Sequence, residues 1–335
     1  MRAIEFIALV LFGVSVLIIL ALVVRRSALA RAARRRTALA GQLRPTALEL
    51  VSGDRADSVA GFHGQEAEVL AELVGGYARR VTGDARQRIA GFFETSGAVD
   101  DQLKRLGSRR AWRRASAAFA LGDMCSLRAA PELVRALGDR ARDVRLAASR
   151  SLGRLGALEA IEPLIDAALA RRVPHDVAGL ALLDLGPAAV PRLVELTANA
   201  EPAVRSKAVE LVGLLGNAGD ARPVLERMRD PAAAVRAASA DALGRLGAGG
   251  GRDALVRALD DRVPAVRAAA ARALGRTGGR RAAEALLPVA RADAFEPGRA
   301  AAAALARIDP ALVLEAASEA DAGPHLREAA DLARL

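Results

Sequence analysis

Apolar and polar positions alternate along this chain in three different regimes. From Ala3 to Val24 the run is almost purely apolar, AIEFIALVLFGVSVLIILALVV, with Glu5 as its one charge. From Glu66 to Gly107 apolar residues return at helical spacing in three stripes: Val69, Leu70, Leu73, Val74 and Tyr77; then Ile89, Phe92 and Phe93; then Val99, Leu103 and Leu106. Breaks fall near Gly83 and Gly97. Spacings of three and four place such residues on one helix face, which predicts three short amphipathic helices. Beyond Ser108 the pattern becomes periodic at a longer scale.

That longer period is visible in DRARDVRLAASRSLGRL from Asp139, DPAAAVRAASADALGRL from Asp230 and DRVPAVRAAAARALGRT from Asp261. With the arginine of the Val-Arg pair as reference, equivalent positions are Arg114, Arg145, Ala178, Arg205, Arg236, Arg267, Arg299 and Arg327, numbered here as repeats 1 to 8. Between them lie second apolar runs: Ile161 to Leu169, Val190 to Leu196 and Ala254 to Leu259. Pro131, Pro163, Pro191 and Pro223 near the starts of such runs suit a first helical turn, where no N–H is needed. Each repeat is therefore predicted to be two antiparallel helices. One pair cannot bury its apolar faces alone, so the repeats must stack into an all-α solenoid of about 6–8 helix pairs.

Eight residues after the first six reference positions stands a glycine: Gly122, Gly153, Gly186, Gly213, Gly244 and Gly275. Glycine inside a helix costs about 1 kcal/mol relative to alanine, so its return at one position predicts close approach of a neighbouring helix. Three residues further, Gly156, Gly216, Gly247 and Gly278 stand where left-handed caps would end the helices, and Cys125 takes that place in repeat 1.

The string D-x4-VR-x2-A-x4-LG-x-LG, fullest at Asp139 to Gly156 and Asp230 to Gly247, resembles the HEAT repeat, in the short variety of phycobilisome-lyase-type proteins. The resemblance covers the chain from about Ser108 onward. It implies that the repeat arginine is a structural ladder residue, pairing with an acid six positions upstream or with one in the neighbouring repeat. Those upstream positions are Asp139, Asn199, Asp230, Asp261, Asp293 and Asp321, so the ladder is expected at Asp139, Arg145, Arg205, Asp230, Arg236, Asp261 and Arg267. Repeat 3 has Arg172 upstream and Ala178 at the reference position, lacking acid and base together, and Ser108 precedes Arg114. After repeat 6 the signature weakens, with Arg307 at the glycine position of repeat 7. Atypical terminal repeats are expected where one face meets water.

Four regions follow: 1–26, a membrane anchor; 27–65, a basic juxtamembrane segment and stalk, with Pro45 breaking the helix; 66–107, a helical cap whose aromatic residues, with Trp112 close behind, form its core; and 108–335, the solenoid. A helix of 22 residues spans about 33 Å against a hydrocarbon core of about 30 Å. Arg25, Arg26, Arg31, Arg34, Arg35 and Arg36 follow it without an acid, so the positive-inside rule places everything beyond Arg25 in the cytoplasm. A cleaved signal peptide ending near Ala28-Leu29-Ala30 is the competing reading, but its basic cluster lies on the wrong side of the apolar run. The formal net charge is +10. Six of those charges sit between Arg25 and Arg36, where topology and anionic lipid account for them, and the solenoid has few aromatics for stacking on bases. Nucleic acid is not the expected partner.

Catalytic chemistry is thinly represented. His63, His175 and His325 lie far apart in sequence without metal-ligand spacing, Cys125 is the single cysteine, and no phosphate loop or nucleophile elbow occurs. No cofactor, metal or catalytic residue is predicted. If the reference helices line a concave face, residues five and nine beyond each reference position point outward. These are Phe119, Arg150, Leu183, Glu210, Asp241 and Arg272 at five, and Asp123, Arg154, Pro187, Leu214, Arg245 and Arg276 at nine. Leu183, Pro187, Glu210, Leu214, Arg245 and Arg276 are the candidate partner surface, an apolar centre with a charged rim. The expected function is a membrane-anchored, non-enzymatic scaffold for a protein partner. It is expected at the inner face of a bacterial-type membrane, bacterial from the repeat type and from 47 Arg against 2 Lys, which suggests a high-GC genome. The family resemblance leaves a bilin lyase or isomerase as the enzymatic alternative, and a nucleic-acid-binding solenoid as a third.

Overall fold

In the computed structural model, described for residues 2–53, 62, 64–78, 80–247, 249–292, 294–319 and 321–334, every regular element is helical. Side chains are described from Leu17 onward, Ile18 excepted. The chain forms two compact units, Met1–Ala129 and Ala130–Leu335, so the division falls inside repeat 1.

The N-terminal unit holds α1 (Arg2–Ser52), α2 (Gln65–Tyr77), α3 (Asp84–Thr95), α4 (Ala98–Leu106) and α5 (Ala111–Asp123). The apolar stripes predicted for the cap supply its core: Val69, Leu70 and Val74 of α2, Ile89, Phe92 and Phe93 of α3, and Val99 of α4 are buried. Gly83 and Gly97, with φ of +60° and +73°, start α3 and α4 at the predicted breaks.

Two expectations fail here. The juxtamembrane segment and stalk expected over 27–65 is helical as far as Ser52, and Pro45 lies inside α1. Proline removes one backbone bond and crowds the carbonyl four residues earlier, and here that residue is Gly41. Leu43, Ala47 and Val51, four apart on one face, are buried where α1 meets α2 and α3, and the Arg88 guanidinium donates to the Val51 carbonyl at 3.0 Å. Tertiary packing therefore carries the helix past the proline. Trp112, in turn, is no part of the core: it is 65% exposed, seven residues before the exposed Phe119, on the side of α5 opposite Ala117, Ala118 and Leu121. The remainder of the predicted stalk, 54–61, and His63 lie outside the described residues.

The C-terminal unit contains α6 (Ala130–Ala136), α7 (Arg142–Leu155), α8 (Ile161–Leu169), α9 (His175–Leu185), α10 (Val190–Leu196), α11 (Pro202–Leu215), α12 (Ala221–Glu226), α13 (Ala233–Leu246), α14 (Arg252–Ala258), α15 (Pro264–Thr277), α16 (Arg280–Ala292), α17 (Phe295–Ile308), α18 (Pro310–Ser318) and α19 (Pro324–Ala333). Helices α8 and α10 have the bounds that their apolar runs predict. The odd-numbered helices from α7 to α19 carry the reference positions and stack on one another, and each even-numbered helix backs the odd one that follows. The seam between the two layers is filled by Leu133, Leu152, Leu164, Leu193, Leu243 and Leu255, all buried.

Among the described residues, the stretch long and apolar enough by composition to cross a membrane is His175–Leu196. It is α9 and α10, divided at Gly186 (φ +77°), with 44% of its apolar window buried among other helices. This is solenoid core. In the apolar run Ala3 to Val24, the side chains up to Val16 and that of Ile18 lie outside the described residues. Leu17, Ile19, Leu20, Leu22, Val23 and Val24 are each more than half exposed.

Candidate functional site

The repeat arginines make one arrangement several times over. In their own repeats, five of them donate from Nη1 to the backbone carbonyl six positions upstream: Arg114 to Ser108 at 2.8 Å, Arg145 to Asp139 at 2.9 Å, Arg205 to Asn199 at 2.9 Å, Arg236 to Asp230 at 2.9 Å and Arg267 to Asp261 at 2.8 Å. The acid's side chain faces the opposite way along the stack. Arg205 grips the Asp230 carboxylate of the next repeat through Nε and Nη2, both at 2.8 Å, and Arg236 grips Asp261 at 2.7 and 2.9 Å. Each acid also accepts the N–H of the residue two further on, Ala232 for Asp230 and Val263 for Asp261, and so fixes the turn that begins its own helix. Of the two acids left open by the resemblance, Arg205 and Arg236 take the one next door, and at home they meet a backbone carbonyl instead of a carboxylate.

Electrostatics follow from this geometry. Burial disfavours the Asp230 carboxylate, but hydrogen bonds from Arg205 and the Ala232 N–H, with the charge of Arg205, outweigh it and hold Asp230 below the usual 3.8. For Asp261 the hydrogen bond from Arg236 is the largest influence and again lowers the value. Asp293, the corresponding acid for Arg267, lies outside the described residues. At the far end the ladder changes hands, because Asp321 is taken by Arg291 of α16 at 3.2 Å.

Repeat 3 interrupts the ladder, and the structure corrects how its losses pair. Arg145 meets the Arg172 carbonyl at 2.6 Å in place of a carboxylate. Because each arginine reaches forward, the acid missing for Ala178 is the one replaced by Asn199, and Arg172 stands where the acid for Arg145 would be. The recurrent glycine departs at the same place. A Cβ at Gly153, Gly213, Gly244 or Gly275 would lie 2.6–2.8 Å from Ala181, Ala242, Ala273 or Ala304 of the next odd helix. Gly186 makes no such approach: it is left-handed at φ +77° and ends α9. Among the second glycines, Gly156 and Gly247 are left-handed caps as predicted, whereas Gly278 pairs φ +67° with ψ −171° and Gly216 is extended at φ −80°. Cys125 adopts the left-handed form itself, at φ +58°, and is buried.

Between α9 and α11, therefore, neither the rung nor the glycine contact is formed, and a cleft of about 40 Å³ remains. Ile165, Leu169, Leu182, Leu193, Leu196 and Leu211 line it, with Gly179 and Lys207 at the α9–α11 seam. The candidate partner residues sit around this seam or beyond it. Leu183 is half-buried, Pro187 exposed and Leu214 45% exposed. Glu210 is bound to Lys207 Nζ at 2.8 Å, and Lys207 also reaches Asp176 at 2.9 Å. Arg245 is exposed, while Arg276 is tied with Arg272 to Asp241, at 2.9 and 3.0 Å. The structure thus gathers Leu183, Pro187, Glu210 and Leu214 at one place and leaves Arg245 and Arg276 on later repeats. Leu180, 58% exposed, belongs with the first group and was missed by the five-and-nine rule. Its spacing of three and seven from Leu183 and Pro187 was the available signal.

Other reactive groups stay apart. His175 borders the cleft, His325 is buried edge-on to Phe295 with ring centroids 5.5 Å apart, and among the described residues no three His, Cys, Asp or Glu side chains converge as metal ligands.

No curated protein matches the chain. Among solved structures, human deoxyhypusine hydroxylase in complex with glycerol is 21% identical over 82% of this chain and 98% of that one, at a TM-score of 0.33. A structure of Kap95p with RanGDP is 14% identical over 88% of this chain and 49% of that one, at 0.49. The complex of CpcE and CpcF of phycocyanin lyase from Nostoc sp. PCC7120 is 22% identical over 83% and 98%, at 0.28. These likenesses carry no argument about activity. The sequence profile described as HEAT repeats matches residues 99–183 and 221–306, just over half of the chain. With the two-layer stack and its arginine ladder, this places the chain in the HEAT-repeat family.

Proposed function

We propose that this protein is a membrane-anchored, non-enzymatic scaffold whose solenoid holds a protein partner at the cytoplasmic face of a bacterial membrane. The observation that carries the reading is the apolar strip of Leu180, Leu183, Pro187 and Leu214. Leu180, Pro187 and Leu214 are exposed and Leu183 half-buried, on a row of helices whose neighbouring charges, Asp241, Arg272 and Arg276, are spent on one another. An exposed apolar centre amid satisfied polar groups is the usual form of a protein-docking surface. Support for the anchor comes from α1, whose apolar side chains at 17, 19, 20 and 22–24 are open on every side of the helix, followed by the arginines from Arg25 to Arg36. A helix apolar all round needs lipid or protein about it.

Cross-linking in native membranes tests this reading, with the wild type compared to a Leu183→Asp, Leu214→Asp variant verified as folded by circular dichroism. Capture of one protein by the wild type, reduced at least tenfold in the variant, is the expected result. Capture that persists in the variant removes the strip from the account, and strong periplasmic activity of a reporter fused after Leu335 overturns the orientation.

A further inference from the structure

We propose that the α9–α11 seam docks an amphipathic helix of the partner, one that presents an apolar ridge flanked by basic residues. The inference rests on the scaffold reading and adds the chemistry of what is held. On α9, Leu180 and Leu183 stand three apart on one helix face, Pro187 follows just past Gly186 where α9 ends, and Leu214 is exposed on α11. The small cleft between these helices is lined by other residues, Leu182 and Leu211 among them, and meets the seam at Gly179 and Lys207. A ridge of large side chains at helical spacing is the complement of a groove between two helices.

Charge selects the sign of the flanks. Asp176 and Asp184 border the strip from α9 and Glu210 from α11, against Lys207, which Asp176 and Glu210 share, and Arg154 of α7, whose charge acts on Asp184. Asp184 forms no ion pair among the described residues, and burial holds its carboxyl above the usual value although Arg154 works the other way. A basic side chain brought by the partner would supply the direct ion pair that Asp184 lacks among the described residues. On repeats 2, 5 and 6 the same face carries Arg150, Arg154, Arg245, Arg272 and Arg276 against Asp241, so the acidic surround is confined to this seam. An acidic segment, nucleic acid or an anionic membrane would meet the wrong sign here.

The test uses the full chain in nanodiscs of zwitterionic lipid, with a photo-crosslinking amino acid replacing Leu180. Two 18-residue probe helices share one leucine pattern, the first with lysine and the second with glutamate on the flanks. The lysine helix is expected to cross-link at least tenfold more than the glutamate helix. Asp176→Asn combined with Glu210→Gln, which leaves the apolar strip intact, is expected to lower that yield at least fivefold, and Leu214→Asp to abolish it. Equal yields for the two helices, indifference to the double variant, or cross-linking chiefly between copies of the chain would each overturn the proposal. If the native-membrane experiment still captures a partner, the failure belongs to this inference alone; if both fail, the scaffold reading goes with it.

Discussion

Replacing Gly213 by valine is expected to destabilise the C-terminal unit by about 3 kcal/mol or more, at the upper end of what overpacking costs. A Cβ there would lie 2.6 Å from both the Cα and the Cβ of Ala242, so the obstacle is backbone and cannot be relieved by a rotamer change. The helices α11 and α13 would have to separate, and the separation would strain the Arg205–Asp230 grip that spans the same two repeats. The comparison that gives the result its meaning is Gly91→Ala. Gly91 lies inside α3 with nothing within 4 Å of its would-be Cβ, so alanine there is expected to gain about 0.5–1 kcal/mol from helix propensity alone. Urea denaturation of both variants, with hydrogen exchange to localise the change, reads the effect. Similar changes for the two glycines would remove close approach as the reason for the repeat's glycine.

Arg205→Ala is expected to cost about 3 kcal/mol or more, because the side chain of Asp230 is only 2% exposed and loses its countercharge while staying buried. The cost is one of breaking the pair and is no measure of its net worth, since desolvation offsets much of the attraction. Acid should mimic the substitution. Asp230 and Asp261 are held below 3.8 in the folded chain, so their contribution is complete above the unfolded-state value and is lost as the pH falls through the lower folded one. Stability measured from pH 6 down to pH 2 should therefore fall below about pH 4 in the wild type, and less steeply in Arg205→Ala. The reverse experiment uses the gap. Ala178→Arg with Asn199→Asp supplies the absent rung, and a double-mutant cycle is expected to show favourable coupling of about 1 kcal/mol. No coupling would mean that the changed course of α9, and not the lost charges alone, keeps the seam apart.

Much of this was legible before any coordinates. The bounds of α8 and α10 follow from leucines at three and four, and the cap's three helices from Val69 to Leu106 follow in the same way, since local periodicity decides which face an isolated helix will bury. Gly153, Gly213, Gly244 and Gly275 announced a close contact because nothing else accounts for a costly residue at a fixed place in a helix. Gly186 looks identical in sequence. Whether a glycine meets a neighbour depends on how that neighbour crosses, and α9 ends at Gly186 instead of running past α11. Pro45 misled for a related reason: its local cost is real, but burial of Leu43, Ala47 and Val51 outweighs it.

By itself, the sequence determined the all-α class, the two-helix period, the positions of arginine and acid, and the apolar run that precedes six arginines. All of these depend on residue type and on spacing within one or two turns. Tertiary structure decided which carboxylate each arginine takes, that Ala178 is matched by Asn199, that Leu180 joins the exposed strip, and that Arg276 is spent on Asp241. Those outcomes turn on distances between residues some 25 to 35 apart along the chain, and such distances are set only once one helix has packed against the next.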